Sequence, residues 1–417
     1  MGAPAIVAAA TRFQSGRRRG SRPELKVTRA LVYTHHFPSS EAPSRAPYSY
    51  HTYRALARHC ALRVVAPIPW WWRLRTPKLI VSPLHETSSG IDALFPSYYS
   101  IPAFWPLHGV AVAASTAPML RDIRRAFPFD LILAANAYPD AVAASHLARL
   151  FGVPLLVTVL GSDINLSGGH YALRPQIARA LKKASRVVAV SEALGDRVAD
   201  MGVDRSRIVL VRNGVDGEAF AIRDAAEARA ALGLPLGRPL IVFAGNLVPV
   251  KAVDVLLDAT AKLRSLGAPD AFMCIVGGGA LADELAARAK GLGLGEEHLR
   301  FTGRVLPTDV PRYMNACDVF CLPSREEGSP NVVVEALASG RPVVASCVGG
   351  LPELITHDNG LLVPPEDPDA LARALVDALR RTWDPAALRA TVPSLSWNDV
   401  GDHYARLIEE ILAESRR

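Results

Sequence analysis

Short apolar runs recur along the chain, and most are followed by a longer stretch whose apolar positions repeat at helical spacing. A short apolar run closed by turn residues predicts a buried strand, and the periodic stretch after it predicts a helix. On that pattern strands are expected at Val27–Tyr33, Leu62–Ala66, Asp130–Ala134, Leu155–Leu160, Val187–Val190 and Ile208–Val211. A second set is expected at Leu240–Ala244, Ala271–Val276, Leu299–Thr302 and Val319–Leu322. Helices are expected at Tyr48–Arg58, Ala141–Leu150, 223–232, Val253–Leu266, Ala370–Leu379 and Asp402–Glu414. Strands feeding helices in this order build doubly wound α/β units, whose ligands bind beyond the carboxyl ends of the strands.

A chain of 417 residues, half of them hydrophobic, exceeds one ordinary core, so two domains of roughly 200 residues each are expected. The turn Asn213-Gly214-Val215-Asp216 precedes an alanine-rich helix and is the natural hinge, which divides the chain into 26–214 and 215–399. Residues 1–25 place the apolar piece Ala3–Ala10 ahead of Arg12 and Arg17-Arg18-Arg19, the reverse of a secretory signal, and are expected to be a disordered basic extension. Five cysteines without a Cys-x-x-Cys pair argue for a reducing compartment, hence the cytoplasm, and against a disulfide framework or a zinc site. A net charge of +7, spread widely as arginine, favours anionic small molecules or a lipid surface over a nucleic-acid groove.

The stretch with the most chemistry is 318–346, read as strand, loop, short helix and strand. Gly328, Ser329 and Pro330 leave the sheet and open a helix that Gly340 and Pro342 end. The free N–H groups and positive dipole end of such a helix bind anions. Glu327 and Glu335 flank that place, and carboxylates repel a phosphate, so they suit the hydroxyls of a sugar or ribose beside it. No carboxylate cluster has metal-ligand spacing, so no metal and no other cofactor is expected.

The segments Glu327-Gly328-Ser329-Pro330-Asn331, Glu335 to Ala345 and Gly349-Gly350-Leu351-Pro352-Glu353 together resemble the Glu-x7-Glu donor motif of the retaining glycosyltransferases of family GT4. The resemblance covers most of 130–396. It implies the GT-B fold, two Rossmann-like doubly wound domains facing across a cleft, with the last helix (400–417) returning to the first domain. It also implies transfer of a sugar from a nucleoside diphosphate sugar to a hydroxyl acceptor with retention, as in envelope or exopolysaccharide assembly. Glu335 would hold the ribose, and Glu327 the donor sugar and the charge developing at its anomeric carbon. Lys251, with the backbone N–H groups of Ser329, Pro330's neighbour Asn331 and Val332, would hold the diphosphate. In Gly245-Asn246-Leu247-Val248-Pro249-Val250-Lys251-Ala252, Asn246 stands where the family has a first cation and Ala252 where it has glycine. Arg304, after the strand at Leu299–Thr302, would lie beside the base.

Several stretches keep two readings open. His35 and His36 follow the first strand and would either enter the cleft or lie on an ordinary surface; no glycine occurs between 34 and 59, where many relatives have a glycine-rich loop. Asp163, in Gly161-Ser162-Asp163-Ile164-Asn165, is either a sugar contact or a helix cap, and Leu160 replaces the histidine or arginine usual before that glycine. Trp70, Trp71, Trp72, Arg73 and Arg75 suit an acidic membrane interface or burial under a loop. The stretch 93–120 lacks Asp, Glu, Lys and Arg and adds to the first of these, although four prolines break it as a spanning helix. Gly277-Gly278-Gly279-Ala280-Leu281-Ala282 alone would suggest a dinucleotide and a dehydrogenase, but it follows a mid-chain strand. A nucleotide-sugar epimerase of the same fold and a non-catalytic sugar-nucleotide binding protein compete with the transferase reading.

Overall fold

A computed structural model describes residues 27–39, 46–71, 85–88, 91–99, 105–165, 169–392 and 396–417. The expected extension 1–25 and Trp72, Arg73 and Arg75 lie outside the described residues.

Two sheets, each with its own core, carry the architecture. The first contains β1 (Arg29–Tyr33), β2 (Ala61–Val65), β3 (His85–Ser88), β4 (Ile91–Leu94), β5 (Leu131–Ala135), β6 (Leu155–Val159), β7 (Arg186–Ala189) and β8 (Ile208–Leu210). Their order is β8-β7-β6-β5-β1-β2-β4-β3, parallel except for the antiparallel pair β3 and β4. The second holds β9 (Leu240–Ala244), β10 (Phe272–Val276), β11 (Leu299–Gly303), β12 (Val319–Leu322), β13 (Val343–Ser346) and β14 (Gly360–Val363), ordered β11-β10-β9-β12-β13-β14 and all parallel. Strands buried on both faces read as unbroken apolar runs, which is why β9 and β12 coincide with the expected residues.

The chain reverses direction beside β1 in the first sheet and beside β9 in the second. Ligands of doubly wound sheets bind in the crevice at such a switch point. The loops after β1 and β5 frame the first crevice, and those after β9 and β12 frame the second.

Seven helices position the site or join the domains: α1 (Pro47–Leu56), α2 (His108–Ala126), α3 (Val142–Phe151), α4 (Glu192–Asp200), α5 (Val253–Lys262), α6 (Asn331–Ala338) and α7 (Trp397–Glu414). The last begins five residues before the expected Asp402, because Ser396 and Asp399 form a reciprocal capping box. Its apolar stripe Val400, Tyr404, Leu407, Ile408 and Ile411 packs on the first domain with α1. The Tyr404 hydroxyl lies 2.8 Å from Thr158 Oγ1, and Arg186 donates to Glu414 at 2.5 Å. The chain thus crosses twice between domains, and the crossings touch where Val215 pairs with Ser396.

The uncharged stretch 93–120 reads differently in the structure. It contributes the end of β4 and most of α2, which buries Gly109, Val112, Ala113, Thr116, Leu120 and Ile123. Pro118 is accommodated inside the helix. A run without charge serves a protein core as well as a lipid one, and here its apolar face packs into the first domain. Among the described residues no helix is long and apolar enough to cross a membrane. Trp71 packs edge-on against Tyr98 and tilted against His108, while Trp70 is 37% exposed.

Candidate active site

Lys251 ends the turn after β9 and Glu327 sits in the loop after β12, so both arise at the second switch point. Arg325 draws the two loops together. Its backbone N–H donates to Val250 O at 2.8 Å, and its guanidinium donates to both oxygens of Asp254, at 2.7 and 3.1 Å. Lys251 Nζ then reaches Glu327 Oε1 at 2.6 Å, and Ser324 Oγ donates to the same oxygen at 2.6 Å. Among the described residues both side-chain bonds fall on Oε1.

Ala252, the next residue, adopts φ +48° and is buried. An alanine in the left-handed region is strained by about 1–2 kcal/mol, partly offset because glycine would lose more backbone entropy on folding. Ala252→Gly should therefore stabilise the protein by up to about 1 kcal/mol, measured by urea unfolding. A lower midpoint than wild type would refute the strain.

Pro330 caps α6, and among the described residues no side chain bonds the free N–H groups there, so the helix start is open to an anion. Glu335, one turn in, is 8% exposed, and its only side-chain partner among the described residues is the Tyr48 hydroxyl of the first domain, at 3.3 Å. Burial pushes the Glu335 carboxyl up to about 7 from an ordinary 4.5, with the Tyr48 bond pulling the other way. An acid whose pKa rises on folding holds a proton the unfolded chain has released, so its stability contribution is full at acid pH and lost as pH climbs through about 7. Glu335→Gln, which cannot ionise, should gain in Tm relative to wild type between pH 5 and pH 8. A constant difference would contradict the shifted carboxyl.

The first domain closes on this loop at two glycines. A Cβ on Gly161 would lie 2.9 Å from Gly328 Cα, so only two glycines let the backbones meet. Asp163, 5% exposed, is committed to that loop: it accepts from Ala137 N at 2.7 Å, Gly161 N at 2.7 Å and Leu160 N at 3.1 Å. Glu353 accepts from Glu192 N and Ala193 N, both at 2.9 Å, capping α4 across the domain boundary, and Arg212 joins it at 3.2 Å. Arg197 similarly bridges Asn165 and Glu326, each at 2.7 Å.

At the first switch point His35 Nδ1 lies 2.8 Å from the buried Asp140, which also accepts the His35 backbone N–H. The His36 ring lies against that of His35, centroids 3.8 Å apart and tilted by 42°. Asn246 and Arg304 are exposed on the rim, and Arg304 lies over Gly278 of the glycine turn. That turn is packed against the β9 loop: Leu247 N donates to Gly278 O at 3.1 Å, and a Cβ on Gly279 would lie 2.6 Å from Leu247 N. Thus Lys251 and Glu327 meet in the loop that leads into α6, Glu335 lies one turn along that helix, and Asp163 serves the loop opposite. Tyr48, Asp140, Arg325 and Ser324 are the additional site residues that the structure brings in.

Residues 238–381 match the family described as Glycosyl transferases group 1, and 80–219 match Glycosyltransferase Family 4. A putative teichuronic acid biosynthesis glycosyltransferase of Bacillus subtilis is 34% identical over 304 residues, 71% of this chain and 73% of that one. The chain belongs to glycosyltransferase family 4. A D-inositol 3-phosphate glycosyltransferase of Mycobacterium tuberculosis is 36% identical over 234 residues, 52% of this chain but only 47% of that protein. The GT-B fold is shared with a sucrose-phosphate synthase of Thermosynechococcus elongatus, at TM-score 0.76 and 22% identity over 93% of this chain and all of the other. Anabaena HepE, solved with UDP and glucose, gives TM-score 0.69 at 21% identity over 92% of this chain and all of the other.

Proposed function

We propose that this family 4 glycosyltransferase takes its sugar from a nucleoside diphosphate sugar and transfers it to a hydroxyl acceptor with retention at the anomeric carbon. The observation that carries the reading is the meeting of Lys251 and Glu327 beside the uncapped start of α6, with Glu335 on the same helix. The diphosphate would take Lys251 and the N–H groups of Ser329, Asn331 and Val332. Glu335 would accept the ribose hydroxyls, and Glu327 would bind the donor sugar and offset the positive charge developing at its anomeric carbon. The bond to the phosphate oxygen breaks as the acceptor oxygen bonds the same face, and the departing phosphate takes the proton. No metal is required, since Lys251 and the helix start supply the positive field.

His35, held 2.8 Å from Asp140 in the loop after β1, is proposed to meet the acceptor. Assembly of an envelope or exopolysaccharide is supported by the Bacillus subtilis relative's name, and UDP as the nucleotide by the HepE complex. A peripheral membrane contact would involve Trp70, which is 37% exposed.

A thermal-shift screen of UDP, GDP and ADP with their sugars tests the reading. At least one compound should raise Tm with concentration, as ligands of the native state do. Failure of every one would overturn it.

A further inference from the structure

We infer that Tyr48 is a first-domain residue of the nucleotide site, its hydroxyl keeping on Glu335 the place that a ribose hydroxyl takes. The inference rests on the reading of Glu335 as the ribose ligand. Tyr48 belongs to the first turn of α1, which the chain enters through Ala46 at φ +48°. Its phenol donates across the domain boundary to Glu335 Oε1 at 3.3 Å, with the Asn331 side chain close by. Asn331 opens α6, so the hydroxyl sits between the helix start and the buried carboxyl, where a nucleotide on this helix would present its ribose.

The ring is held there by stacking. Trp397, the first residue of α7, lies 6.3 Å from Tyr48 at 27° and 5.2 Å from His51 at 20°. A buried carboxyl with no other side-chain partner would be costly to strand. The phenol satisfies it through one long bond, which a ribose hydroxyl replaces at small cost. Nucleotide entry therefore exchanges one hydroxyl for another on Glu335, and the lost phenol bond is subtracted from the affinity of every nucleotide that brings a ribose hydroxyl.

Tyr48→Phe keeps the ring and its stacking and removes only the hydroxyl. Titration calorimetry with UDP and GDP should show each that binds doing so about three- to tenfold more tightly in Y48F, the worth of one hydrogen bond. Their 2′,3′-dideoxy counterparts bring no hydroxyl to exchange for the phenol, so each that binds should do so equally in Y48F and wild type. Without ligand, amide exchange over 47–56 should be faster in Y48F. A Y48F that weakens the ribo forms and leaves the dideoxy forms unchanged would make Tyr48 a direct ribose ligand and overturn the exchange. So would affinities and amide exchange both at wild-type levels. Failure of the Glu335 reading looks different: dideoxy forms would then bind wild type as tightly as ribo forms.

Discussion

Glu327→Gln is expected to lower turnover of the preferred donor by about a hundredfold or more, while binding of the nucleoside diphosphate is kept. Glutamine fills the same space and can still accept from Ser324, which bonds Glu327 at 2.6 Å, so the loop should hold its shape. What disappears is the negative charge proposed to lie beside the anomeric carbon. Preorganised charge aimed at a developing charge is worth about 10²–10³ in rate when one such group is removed. The diphosphate should not suffer, because Lys251, now 2.6 Å from Glu327, loses a competitor for its ammonium. The measurement is a pair: single-turnover rate with the donor that stabilises the protein most, and calorimetric Kd for its nucleoside diphosphate. A rate within threefold of wild type would remove Glu327 from the chemistry.

Lys251→Ala acts on the other side of the same pair. A hydrogen bond to a charged group contributes about 1.5–3 kcal/mol, and about 1.4 kcal/mol is a factor of ten. Loss of Lys251 should therefore weaken the nucleoside diphosphate roughly tenfold to over a hundredfold. Asn246, at the position of the family's first cation, brings no charge and cannot compensate. The substitution also leaves Glu327 without its cation in a place where its side chain is 9% exposed, which should lower Tm. Combining it with Glu327→Gln separates the effects: the double variant should recover most of the lost stability and none of the lost affinity. An unchanged Kd in Lys251→Ala would mean that the diphosphate lies elsewhere.

How far these residues can be read from the chain depends on the range of their contacts. Lys251 and Glu327 are legible because each follows a short apolar run and lies within a local motif, and parallel strands side by side then bring the loops together. Tyr48 and Asp140 are not, since their partners lie 287 and 105 residues away and no local pattern records the pairing. The left-handed turn at Ala252 is concealed by a residue that normally avoids it. Asp163 shows how a local motif can be right in place and ambiguous in role. Its carboxylate serves backbone N–H groups of the loop that meets Gly328, as a cap would. The stretch 93–120 is ambiguous for a different reason: absence of charge does not distinguish a membrane from a core, and only the packing of α2 decides.

The central claim concerns where a diphosphate sits, and a crystal structure grown with the nucleoside diphosphate that stabilises the protein most tests it directly. Its phosphate oxygens should lie within hydrogen-bond reach of Lys251 Nζ and the N–H groups of Ser329, Asn331 and Val332, with ribose hydroxyls on Glu335 and Tyr48 displaced. A nucleotide seated on the Gly277–Gly279 turn, with Lys251 still on Glu327 and Tyr48 still on Glu335, would contradict it.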